Sequence, residues 1–175
     1  MCIRDRLLYD ENGGHAGLDT LQLLLAGGAD VEYVTPERTW APDIGGMNYP
    51  RYAALMGAAG TRTTLLHELA AVRRNDAGRL VAELWNEYSG TRPERVVDAV
   101  VVENGTVPND ELYTELLPWS VNLGEVEQDA LLALKPQTAR RNPQGEFQLF
   151  RIGDAVTSRN VHAAVYDAFR LGLAM

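Results

Sequence analysis

Apolar residues along this chain fall into short runs set apart by glycine, proline and asparagine. Leu7-Leu8-Tyr9 and Val31–Val34 are mostly apolar stretches of the length and kind that a buried strand needs. Between them, Gly14–Ala26 offers Ala16, Leu21, Leu24 and Leu25 to one face of a helix, and Gly27-Gly28 stops it. Strand, helix and strand so close in sequence predict a parallel pair joined by a right-handed crossover. Tyr49–Ala59 reads as a second helix ending at Gly60, and Arg62–Leu65 as a third parallel strand.

The texture then changes. Leu69–Arg74, Arg79–Tyr88 and Glu94–Val102 read as strands, joined by Asn75-Asp76-Ala77-Gly78 and Ser89-Gly90-Thr91. This is an antiparallel meander, and Val100-Val101-Val102 is apolar enough to return to the main sheet. A short helix is expected near Asp110–Leu117, and Val121–Asn142 is mixed and mostly irregular. A strand is expected over Gln148–Ile152 and a closing helix over Asn160–Leu173. The long loop Thr35–Asn48 has the length of a functional one.

Composition narrows the reading. The 175 residues are 46% hydrophobic and 23% charged, a globular composition without an apolar run near the ~20 residues of a membrane span. With 16 basic and 24 acidic residues the net charge is −8, which disfavours nucleic acid and anionic membranes as partners. One cysteine, Cys2, excludes a disulfide framework and a cysteine-ligated cluster within these residues. His15, His67 and His162 lack metal-ligand spacing, so no metal site is expected. Met1–Arg6 resembles a translated adapter remnant and is set aside from the fold.

Three segments can bind a ligand. Asn12-Gly13-Gly14-His15-Ala16-Gly17 follows a strand and opens a helix, so it can be read against G-x-G-x-x-G with Asn12 in the first glycine position. Gly14 would admit a pyrophosphate and Gly17 would allow close helix–strand packing. The acid expected after the second strand is missing. Thr35 with Arg38 suits a phosphorylated ribose or an ADP-like ligand, Glu37 leaves this open, and Arg38 can equally be a solvated cation. The second segment is Asp98–Gly105 with Pro108-Asn109, where Gly105 gives backbone room beside a nucleotide. In the third, Phe147–Gly172, Gly153 permits close approach and Asp154 can accept from sugar-like hydroxyls. The start of the following helix can hold a phosphate or a flavin oxygen. His162 is either a donor to such a ligand or a surface histidine. No nucleophile–base set, carboxylate pair or P-loop is apparent.

Tyr9-Asp10-Glu11-Asn12-Gly13-Gly14-His15, Val34-Thr35-Pro36-Glu37-Arg38, Gly45-Gly46-Met47-Asn48, Val107–Tyr113 and Phe150–Ala155 together resemble one group. It is the C-terminal part of the NADH:flavin oxidoreductases that include 2,4-dienoyl-CoA reductase and trimethylamine dehydrogenase, nearest the N-methylproline demethylase-like branch. The resemblance covers Leu7 to the end. It implies an α/β fold: a Rossmann-like three-layer nucleotide-binding domain with an antiparallel β-meander over 7–134, and a partial FAD-domain segment over 135–175. It implies an upstream barrel with FMN and a 4Fe-4S cluster, and cytoplasmic electron transfer with FAD or ADP and NAD(P)H as the nucleotides of this portion. A homo-oligomer is expected of the intact enzyme. Asp154 would bond the FAD ribityl chain, with His162 and Ala163 near the flavin ring or pyrophosphate. Asn12, Gly14 and Gly17 would line the pyridine-nucleotide phosphates, flanked by Gly13 and His15. Oxidative N-demethylation is the favoured reaction. A 2,4-dienoyl-CoA-type reduction and a non-catalytic ADP-binding or docking module are the alternatives. The 175 residues alone are not expected to turn over.

Overall fold

The computed structural model of the protein describes residues 5–174, and the expectation for Met1–Arg6 therefore lies largely outside the described residues. The chain forms two compact units that divide between Gly105 and Thr106.

In the first unit, β1 (Asp5–Asp10), β2 (Asp30–Val34), β3 (Arg62–Thr64) and β7 (Ala99–Glu103) make a parallel sheet in the order β3-β2-β1-β7. Helices α1 (His15–Ala26) and α2 (Tyr49–Ala59) supply the crossovers. The strands β4 (Glu68–Arg74), β5 (Leu80–Trp85) and β6 (Glu94–Val97) form a separate antiparallel meander. Strand side chains alternate between faces, and the two cores follow that alternation. Leu8, Val31 and Tyr33 pack with Leu18 and Leu21 of α1 and Tyr52 and Met56 of α2. Leu7, Tyr9 and Val34 pack with Ala82, Leu84 and Val97 of the meander. The result is the three-layer arrangement expected from the sequence.

Two details differ from expectation. Leu18 rather than Ala16 takes the core position on α1, because Ala16 lies on the exposed side. The stretch Glu94–Val102 is two strands, not one. At Asp98 the chain leaves the meander: its N–H donates to Asp5 C=O at 3.0 Å, and a carboxylate oxygen accepts from Asp5 N–H. That exchange carries the following residues into parallel pairing with β1.

A buried ion pair ties the second face together. Glu32 is 3% exposed and takes both Arg95 Nε contacts, at 2.9 and 3.0 Å, and the Thr64 hydroxyl at 2.7 Å.

The second unit holds α3 (Glu111–Leu116), α4 (Gln128–Leu132) and α5 (Val161–Leu173), with single 3-10 turns at Leu117–Trp119 and Gly153–Ala155. The strand expected over Gln148–Ile152 is not formed. One isolated bridge pairs Ser120 with Phe147. Beyond it, the buried Asn122 amide serves as the partner of Leu149, accepting from its N–H at 2.8 Å and donating to its C=O at 2.8 Å. An extended segment becomes a strand only beside a neighbour, and among the described residues this one has a side chain instead. On α5, Val161, Val165 and Phe169 recur at four-residue spacing and stay exposed. Among the described residues no helix is long and apolar enough to cross a membrane.

Candidate functional site

The first candidate site lies where β1, β2 and β7 end. β1 and β7 are neighbours in register, with Asp10 opposite Glu103. Parallel sheets place ligands outside such strand ends, and the turns after the two strands lie side by side. A Cβ on Gly105 would sit 3.2 Å from Asn12 Oδ1. Gly105 has φ +76°, and its N–H donates to Glu103 at 2.9 Å. Asn12, Gly13, Gly14, Gly17 and Gly105 are thus brought together.

The turn is organised by a residue that the motif reading passed over. Asp10 is fully buried, and its Oδ1 accepts from the N–H groups of Asn12 at 3.1 Å and Gly13 at 2.9 Å. Its Oδ2 accepts from the Tyr33 hydroxyl at 2.5 Å. A Cβ on Gly17 would lie 2.1 Å from that Oδ2, so Gly17 leaves room for the carboxylate. Gly13 has φ +65° and sits under Pro42, whose Cδ would be 2.6 Å from a Cβ there. Asp43 N–H donates to Gly13 C=O at 3.0 Å and fastens the long loop over the turn.

Charge is concentrated beneath this turn. Burial, first, and then the neighbouring Asp10 push the Glu103 carboxyl above its ordinary range. The side-chain oxygen Oε2 of Glu103 is buried without a hydrogen-bond partner. Burial and the neighbouring Asp10 charge both disfavour a second anion at this oxygen. Burial and the Asp10 bond likewise raise the Tyr33 phenol. An acid closing an apolar run, as in Leu7-Leu8-Tyr9-Asp10 and Val100-Val101-Val102-Glu103, is the sequence signal for this pair.

This geometry decides which groups can meet a nucleotide. The N–H groups of Asn12 and Gly13 are engaged by Asp10 and are not free for a phosphate. Gly14 begins α1 without a side-chain cap, and a Cβ there would touch only Asn12 Nδ2 at 3.4 Å, so donors remain from Gly14 onward. His15 is exposed, edge-on to Tyr52 at 6.4 Å. Thr35 is fully buried and its hydroxyl accepts from Glu37 N–H, while Arg38 is exposed. Asp98 lies at the opposite end of β7 from Gly105, bonded to Asp5 and Arg79.

The second candidate site lies in the second unit. Gly153 has φ +56° and is buried against Ala164, whose Cβ would be 3.1 Å from a Cβ on Gly153. Asp154 is exposed in the 3-10 turn, and His162 is exposed on the first turn of α5. The N–H of Ala163 is taken by Asn160 Oδ1 at 2.9 Å, so this donor is occupied by the helix cap. Asp167 accepts from Gly153 N–H at 3.3 Å and pairs with Arg159 and Arg170. Burial works to raise the Asp167 carboxyl, but the bonds from Arg159 and Gly153 outweigh it and hold the group below its ordinary range. Among the described residues no cluster could hold a metal ion.

The chain is 46% identical over 165 residues to the "Probable N-methylproline demethylase" of Rhizobium meliloti (strain 1021), covering 94% of this chain and 24% of the relative. It is 41% identical over 170 residues to the N,N-dimethylglycine/sarcosine dehydrogenase of Chromohalobacter salexigens, again 94% and 24%. It is a homologue of part of these flavin-dependent oxidoreductases. The chain spans about a quarter of the length of the curated relatives it matches. A third relative, the multifunctional alkene reductase/demethylase of Caballeronia cordobensis, is 31% identical over 173 residues, covering 97% of this chain and 25% of the relative. No protein-family model matches the sequence.

The fold is shared with solved structures. Histamine dehydrogenase from Rhizobium sp. 4-9 superposes over 97% of this chain and 23% of its own, with TM-score 0.67 and 19% identity. The 6-hydroxypseudooxynicotine amine oxidase of Pseudomonas geniculata N1 does so over 97% and 22%, with TM-score 0.66 and 20% identity. A bacillithiol disulfide reductase of Bacillus cereus matches 64% of this chain and 32% of its own, with TM-score 0.53 and 17% identity.

Proposed function

We propose that this chain is the nucleotide-binding portion of a larger flavin-dependent oxidoreductase that demethylates an N-methylated amino acid or amine. The observation that carries the reading is the 46% and 41% identity, over nearly the whole chain, to a demethylase and a dehydrogenase of N-methylated amino acids. In this reading residues 7–134 belong to a pyridine-nucleotide- or ADP-binding domain and residues 135–175 to an FAD-binding domain. An FMN- and 4Fe-4S-bearing barrel would lie elsewhere in the parent enzyme. In the parent enzyme the N-methyl carbon would give up two electrons to become an iminium, and water would add to it and break the C–N bond, releasing formaldehyde and the demethylated amine; bound flavin would supply the oxidising chemistry.

The residues described here bind and orient. Asp154, exposed and close to a fixed left-handed glycine, accepts from the flavin's sugar-like hydroxyls, with His162 and Ala163 alongside. Gly14 and the first turn of α1 hold a phosphate, flanked by Asn12, Gly17 and Gly105. Arg38, exposed on the loop after β2, is the cation that would meet a phosphorylated ribose. Asp10 engages two of the turn's donors, which leaves fewer for any diphosphate, that of ADP and that of NAD(P)H alike. In a second form of the same reading, this domain holds ADP and turns nothing over.

The test is titration of the parent-length enzyme with NADH and NADPH under anaerobic conditions, beside an assay for formaldehyde from N-methylated amino acids. Formaldehyde release with no bleaching of flavin by either nucleotide supports demethylation with an ADP-holding domain. Rapid bleaching by NADH or NADPH would sink the ADP-only form. Absence of formaldehyde, with reduction of a conjugated enoyl thioester, would replace demethylation by the reductase alternative.

A further inference from the structure

The loop that carries Asp154 is held by a side chain from the far end of its own unit. We infer that Asp167 is a positioning residue: it sets the conformation of the Gly153–Asp154 turn and so aims the Asp154 carboxylate. The aim matters through the flavin-site reading above, on which this inference rests; the clamp itself is independent of any ligand.

Four contacts join the loop 153–160 to α5. The Cα of Gly153 lies against Ala164, close enough that a Cβ would be 3.1 Å from its methyl. The Gly153 N–H donates to Asp167 Oδ2 at 3.3 Å. Arg159, at the other end of the loop, closes on the same oxygen. Asn160 caps the helix at Ala163. Asp167 therefore receives both ends of the loop on one carboxylate, while Arg170 holds its second oxygen at 3.2 Å from one turn along.

The placement is economical in charge. The Asp167 side chain is 12% exposed, and the groups facing it are Arg159 from the loop and Arg170 from α5. Two guanidiniums keep it ionised, and an ionised carboxylate is the stronger acceptor for a backbone N–H. Asp154, by contrast, is exposed. Its direction is inherited from the left-handed φ of +56° at Gly153, a conformation held by the Ala164 and Asp167 contacts.

The experiment follows the Gly153 amide by NMR in the whole 175-residue chain as pH is lowered, in the wild type, Asp167→Asn and Arg159→Gln. The expected wild-type result is a Gly153 amide shift that titrates with an apparent pKa below that of an ordinary aspartate. In D167N the titration disappears, and exchange of the Gly153 amide rises by roughly tenfold, the factor expected for losing a hydrogen bond to a charged acceptor. In R159Q the titration persists but moves to higher pH. Retained helical circular dichroism separates these results from unfolding of α5. If D167N does unfold, the wild-type and R159Q titrations still decide. A Gly153 amide that does not titrate in the wild type, or still does in folded D167N, overturns the inference. FAD binding is measured in parallel by flavin fluorescence in the parent-length enzyme. No FAD bound by the wild type would refute the flavin-site reading alone, leaving the clamp to the amide data. FAD held equally by wild type and D167N would overturn the positioning role.

Discussion

Gly17→Ala is the sharpest test of how the first candidate site is built. In a helix interior this exchange ordinarily stabilises, by about 1 kcal/mol. Here the added Cβ would lie 2.1 Å from Asp10 Oδ2 and 2.4 Å from its Cγ, inside the 3.0 Å that real Cβ atoms keep. Asp10 cannot yield freely, because it is fully buried and holds Asn12 N–H, Gly13 N–H and the Tyr33 hydroxyl. Either α1 lifts off the sheet, an overpacking cost of ~1–3 kcal/mol, or the carboxylate turns away and surrenders bonds worth ~1.5–3 kcal/mol each. The cheaper route decides, and after the helix gain is subtracted the expected net loss is about 1 kcal/mol, at most ~2 kcal/mol. With a urea slope of ~2 kcal/mol/M, the midpoint falls by about 0.5 M, read by far-ultraviolet circular dichroism. The control is Asp10→Ala. That change alone destabilises, since it strands the Tyr33 hydroxyl and two N–H groups, but it removes the obstacle. Adding Gly17→Ala to it should then be neutral or mildly stabilising, and the coupling isolates the contact. A G17A midpoint at or above wild type, or an unchanged penalty in the D10A background, would refute this account of the turn.

Two further outcomes follow from the same structure. Glu103 has a folded-state pKa above its unfolded value of ~4.3. Its contribution is therefore full below that pH and is lost as pH rises through the folded value. Glu103→Gln, which removes this titration, should raise stability at neutral pH and abolish that part of the pH dependence; an offset in urea midpoint between the two proteins that stays constant with pH would show the Glu103 pKa to be unshifted. Arg95→Ala leaves Glu32, 3% exposed, with only Thr64 and the more distant Arg62 at 3.6 Å. Breaking such a pair should cost about 3 kcal/mol in urea unfolding, and a loss below ~1 kcal/mol would mean that water already screens it.

Reading the elements from the sequence succeeded where the signal was local. Apolar runs, punctuated by Gly27-Gly28 and Gly60, placed α1, α2 and the parallel strands closely, because strand and helix periods and glycine stops act within a few residues. The glycine turn was legible for the same reason; that Gly105 lies beside Asn12 was not, since the two are far apart in sequence. What was not legible depended on partners far along the chain. The return of Val100-Val101-Val102 to the main sheet was readable, but the break at Asp98 was not, because Asp5, ninety-three residues earlier, exchanges hydrogen bonds there.

By itself the sequence determined an α/β unit with a meander, the place of its glycine turn, and the resemblance that its identity to N-methyl amino acid demethylases and dehydrogenases supports. Those features rest on local backbone preference and on residue strings read one after another. Only the tertiary structure decided what fills the turn and what holds the second site. Gly17 is open because Asp10 occupies its space, Gln148–Ile152 is no strand because Asn122 is its partner, and the Gly153 turn is tied down by Asp167. Each is a contact between residues distant in sequence, and a hydrogen bond or a steric limit exists only once folding has brought both groups to it.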